Sequence, residues 1–183
     1  MRTELLKVLR KSFEKELTRL SGHFVRVTKP GMYYWRDEWV FENNQHPKIT
    51  FVIILSPNPN GSDSFSVELG WSKKKRLPEL SKRPSSINPR TVEGDLEEYV
   101  TRLSYLKNPT SDFYYFNSAV DLCVEDLISD LIKNSSPISG EQAQLIARPV
   151  LKILINDLEH IGLRYLDECC DFIVDGPISN GNL

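Results

Sequence analysis

Two segments on either side of one turn constrain this chain more than anything else in it. Ile49-Thr50-Phe51-Val52-Ile53-Ile54-Leu55 is nearly apolar throughout, which predicts a central strand with both faces covered. Ser56-Pro57-Asn58-Pro59-Asn60-Gly61-Ser62 follows and reads as a turn. Beyond it Phe65, Val67, Leu69 and Trp71 alternate with Ser66, Glu68, Gly70 and Ser72. That alternation predicts a strand with one aromatic and aliphatic face and one small, polar face. Successive turns favour an antiparallel meander over parallel crossovers. Residues 24–28, Met32-Tyr33-Tyr34-Trp35-Arg36 and Trp39-Val40-Phe41 are further strand candidates, with Pro30-Gly31 turning the chain between the first two.

Helical periods lie on both sides of these strands. Leu5, Leu9, Phe13, Leu17 and Leu20 keep to one side of a 3.6-residue period, and Gly22 offers a stop just past them. Lys7, Lys11 and Lys15 run beside that stripe. Thr91 can cap a helix holding Leu96, Tyr99, Val100, Leu103 and Leu106, ending before Asn108-Pro109. Residues 113–116 read as a short strand or an aromatic linker. Between Asp121 and Lys133, Val124, Leu127, Ile128 and Leu131 share one side. Ser139 and Gln142 have capping-box spacing ahead of a helix in which Pro149 predicts a kink or a second start, and Gly162 a further interruption. The class this predicts is α+β: an antiparallel sheet of three to five strands covered by an N-terminal helix and a C-terminal helical set.

The length of 183 residues suits one domain, here 1–176, with a polar tail over 177–183. A basic, proline-punctuated loop over 73–90 is the candidate mobile segment. The longest apolar run, 51–55, falls far short of the ~20 residues of a membrane span, and the N-terminus lacks the continuous apolar core of a signal peptide. Cys123, Cys169 and Cys170 form no C-x-x-C pair, so reduced thiols and a cytoplasmic location are expected. Charge is strongly divided, with net +8 over residues 1–90 and −10 over 91–183. Such a split can steer association.

Chemistry-bearing patterns are sparse. Asp37, Glu38 and Glu68 hint at a nuclease-like carboxylate set, but the acidic-x-lysine pairing fails at Leu69-Gly70. Glu68 reads instead as a solvated or helix-facing carboxylate. His46 follows Glu42 by four, yet Asn43-Asn44-Gln45 and Pro47 make a turn of the segment. His23 and His160 sit alone at helix ends. Asp167, Glu168 and Asp171 beside Cys169 and Cys170 oppose thiolate formation. Neither a G-x-S-x-G elbow nor a glycine-rich phosphate loop occurs. The sequence therefore assigns no catalytic, cofactor-binding or metal-ligating residue and no cofactor.

Three features remain as candidate partner-binding residues. They are the acids Glu125, Asp126 and Asp130, the aromatics Tyr33, Tyr34 and Trp35, and the basic run Lys73, Lys74, Lys75 and Arg76. A protein partner is expected, with no membrane association. The alternative is a small hydrolase, or a nucleic-acid binder using the basic stretch 73–83, although the −10 of the second half argues against a broad polyanion surface.

Taken together, Gly22-His23-Phe24 after the first helix, Ser64-Phe65-Ser66-Val67-Glu68-Leu69-Gly70, and the closing Ile161-Gly162-Leu163-Arg164-Tyr165-Leu166 resemble a group of small bacterial proteins of unassigned function. Some members are similar to the immunity proteins carried beside polymorphic toxins. Glu68 stands where that group usually has asparagine. The resemblance implies an α+β fold and toxin neutralisation without catalytic residues.

Overall fold

The computed structural model describes residues 1–60, 62–79, 97–111, 113–116 and 137–175, the last five as backbone only. Helix α1 spans Thr3–Leu20, and its Leu5, Leu9, Phe13 and Leu17 are wholly buried, as their spacing predicts. The strands follow as β1 (Val25–Val27), β2 (Trp39–Asn43), β3 (Thr50–Pro57), β4 (Ser64–Ser72) and β5 (Glu98–Arg102). Each pairs antiparallel with the next, so the predicted meander holds. A two-residue strand β6 (Tyr114–Tyr115) pairs with the start of β4, whose later part pairs with β5.

Register separates two faces. Phe41, Ile53, Leu69 and Thr101 lie in one cross-strand row and Val40, Ile54, Glu68 and Arg102 in the next. The first row belongs to the main core, which α1 and the C-terminal helices close: Phe13 meets Phe41 at 5.7 Å between ring centroids. The reverse face carries a smaller cluster of Tyr34, Val40, Val52, Ile54 and Val100. Glu68 sits on that reverse face and is buried, which corrects the expectation of a solvated or helix-facing carboxylate.

Helix α3 (Gly140–Asp157) begins with the predicted capping box, both reciprocal bonds of Ser139 and Gln142 being formed. It runs through Pro149 as one element. Pro149 lies on the exposed side, where the carbonyl it leaves without a donor can meet water. The interruption comes later, as a π-helical turn over Leu158–Gly162 before helix α4 (Leu163–Asp175). Cys169 is buried and Cys170 half-buried, while Cys123 lies outside the described residues.

Two further sequence expectations are corrected. The segment carrying Tyr99 and Val100 is strand, not helix, and Leu103–Lys107 beyond it forms a helix, α2; Thr91 and Leu96 lie outside the described residues. Tyr99 and Thr101 face the helical layer while Glu98, Val100 and Arg102 face away, and pairing with β4 outweighs the helical spacing. Residues 32–36 are not a strand either. Gly31, at φ 102°, opens a turn in which the Tyr34 amide donates to the Gly31 carbonyl at 3.3 Å. No helix among the described residues is long and apolar enough to cross a membrane.

Candidate functional site

The loop between β1 and β2 is pinned from beneath at two points. The Tyr34 ring enters the reverse-face cluster, and its hydroxyl donates to the Pro78 carbonyl at 2.8 Å. Glu38, also buried, accepts from the Trp35 amide at 2.9 Å and from Ser56 Oγ at 3.0 Å. With the backbone held, side chains next to these anchors turn outward: Met32 is 89% exposed, Trp35 60% and Tyr33 45%. Of the three aromatics in the sequence-based set, Tyr34 is thus an anchor, and Tyr33 and Trp35 are surface. Trp35, Arg36, Asp37 and Glu38 also wall a pocket of about 380 Å³, closed by Met1, Leu6 and the turn Pro57-Asn58-Pro59.

The basic run follows β4 as a turn, and the Tyr34–Pro78 bond ties the segment just beyond it to the aromatic loop. Its cations are largely matched. Lys74 Nζ lies 2.7 Å from Glu97, whose hydrogen bond raises the lysine pKa above its ordinary value. Arg76 sits between Glu79 at 2.7 Å and the buried Glu98 at 2.8 Å. Lys75, in the left-handed region at φ 54°, donates to the His46 carbonyl at 2.7 Å. Pairs with one or both partners at the surface contribute little to stability. Their consequence here is electrostatic, since Lys73–Arg76 presents less free positive charge than the sequence suggests. Glu125, Asp126 and Asp130 lie outside the described residues.

Sequence reasoning missed two clusters. At the end of α3, the buried Asp157 accepts from Lys107 Nζ at 3.0 Å to each oxygen and from the Tyr114 hydroxyl at 3.2 Å. This ties α2, β6 and α3 together just before the π-helical turn, which itself is a geometry enriched at functional sites. No spacing announces it, because Asp157 lies far along the chain from Lys107 and Tyr114. Burial, reinforced by the Asp157 charge, pushes the Tyr114 pKa far up, so the phenol remains a neutral donor. Above about pH 10 an unfolded tyrosine ionises while this one does not, so its contribution to stability is lost as pH rises beyond that value. Tyr114→Phe should remove no signal from a 295 nm tyrosinate titration before alkaline unfolding. It should also cost about 1–2 kcal/mol in urea denaturation at neutral pH. A lost titration step near pH 10 would show Tyr114 to be solvated.

The second cluster gathers cations on an indole. The Arg26 guanidinium lies 3.6 Å from the Trp39 ring centroid and that of Arg10 5.3 Å from it. Arg10 donates to the Asp37 carbonyl at 2.5 Å, with the Asp37 carboxylate 4.0 Å away. Asp37 therefore links this cluster to the Trp35 pocket. Among the described residues no group of three or more histidine, cysteine or acidic side chains could hold a metal ion.

No protein-family model, curated protein or solved structure matches the chain.

Proposed function

We propose that this chain is a non-enzymatic protein-binding domain, in its sharpest form an immunity-type protein that neutralises a toxin. One observation carries the reading: Met32, Tyr33 and Trp35 point outward from a loop whose backbone is fixed by buried Tyr34 and Glu38. Single exposed apolar side chains are ordinary. Three within four residues, on a loop whose backbone is already held, provide large contact area with little backbone entropy left to lose on binding. Tyrosine and tryptophan are also enriched at binding hot spots.

The test is co-purification from the native host with tagged wild type and with a Met32→Ala/Tyr33→Ala/Trp35→Ala variant. A stoichiometric protein should accompany the wild type and be lost from the variant, whose melting temperature should be unchanged. Retention of the same partner by the variant would move the contact elsewhere, with Glu125, Asp126 and Asp130 next to be reversed. The neutralisation version adds co-expression: the captured protein should arrest growth alone, and this chain should relieve the arrest. Turnover of a small molecule by the purified chain would overturn the non-enzymatic reading.

A further inference from the structure

We infer that the partner meets this surface through an acidic protein segment, seating a carboxylate against Arg10 and Arg26 at the Trp39 ring and an apolar side chain in the Trp35 pocket. This rests on the protein-binding reading and names the chemistry of what is bound. Arg10 and Arg26 approach one indole, and the carboxylate near them, Asp37, lies 4.0 Å from Arg10 with most of its side chain in water. Among the described residues neither Arg26 nor Arg36 forms an ion pair. Burial lowers the Arg10 pKa; Asp37 opposes that shift and the charge of Arg26 adds to it. A second carboxylate would relieve the repulsion between the two cations. The net charge of +5 over residues 1–30 draws such a group in the same direction.

The guanidinium fork fits carboxylate and phosphate alike. The neighbourhood favours the carboxylate. Asp37 and Glu38 share the pocket with Arg36, and its remaining walls are Met1, Leu6, Pro57, Asn58 and Pro59. A phosphate backbone needs a continuous basic track. Here Lys7 is paired with Glu4 at 2.6 Å on the same helix as Arg10, and the Asp37 carboxylate lies 4.0 Å from Arg10, so anionic groups interrupt the cations of the patch. A short acidic segment with one apolar anchor needs only the patch itself. Tryptophan, tyrosine and arginine are also the residue types that carry most interface energy.

The test selects a displayed random peptide library on the full wild-type chain. Enriched peptides should combine aspartate or glutamate with a large apolar residue. A synthetic peptide of that consensus should bind roughly tenfold more weakly to Arg26→Glu and to Arg36→Glu, and the difference should shrink at high salt. Lys152→Glu, on α3, should leave its affinity unchanged. Both arginines have exposed side chains, so melting temperatures should match wild type. Peptides that depend on Trp35→Ala but ignore both reversals would overturn the acidic segment and leave the protein-binding reading standing. A basic or neutral consensus, or no enrichment over bare resin, would also overturn the inference. So would a dT20 oligonucleotide that displaces the peptide and loses affinity in the same variants, assigning the patch to nucleic acid.

Discussion

Phe13→Ala should lower the stability of the chain by about 3–5 kcal/mol, a large share of the ~5–15 kcal/mol typical of a domain. Phe13 is wholly buried at the middle of the α1 stripe, and its ring leans on Phe41 across the boundary between helix and sheet. Truncation removes the transfer free energy of the ring and leaves a cavity. Leu9, Leu17 and β2 can close that cavity only by shifting the helix. Urea denaturation followed by tryptophan fluorescence should show a sharply lower midpoint with the slope unchanged. An unchanged midpoint would mean that α1 is not part of the cooperative core.

The 5-9-13-17 spacing by itself implies this burial, because it puts all four side chains on one face of a helix. The strands β3 and β4 were legible for the same reason: a period of two, or an unbroken apolar run, next to an explicit turn. Legibility failed where tertiary pairing decided the outcome. Leu96, Tyr99, Val100, Leu103 and Leu106 satisfy a helical period, yet Glu98–Arg102 joins the open edge of β4, and helix follows it over Leu103–Lys107. The aromatic loop failed differently. Met32–Arg36 has strand propensity, but the left-handed Gly31 and the reach of Glu38 back to the Trp35 amide fold it into turns. Of the candidate site, sequence named Tyr33, Tyr34 and Trp35 without separating anchor from surface. It could not bring Arg10, Arg26 and Trp39 together, since each lies on a different element.

The small, polar side of β4 hides the other large effect. Gly70 faces away from the helices, between Val52 on β3 and Val100 on β5. A Cβ there would lie 2.8 Å from the Tyr99 carbonyl oxygen, 2.8 Å from Val100 Cγ2 and 3.0 Å from Val52 Cγ1. The valine methyls can rotate or be shortened, but the carbonyl cannot move unless β5 does. Gly70→Val should therefore cost about 3 kcal/mol, the upper end for overpacking. Gly70→Ala should cost less but remain destabilising, because the ~0.4–1 kcal/mol gained by restricting the unfolded chain is smaller than the clash. Adding Val100→Ala to Gly70→Ala should recover only part of the loss, since the contact with the Tyr99 oxygen persists. Urea denaturation of the single and double variants measures both terms, and amide exchange in Tyr99–Thr101 should report the loosening of β5. A midpoint raised by Gly70→Ala would show that β4 and β5 do not approach this closely, and that the glycine is there for reasons other than space.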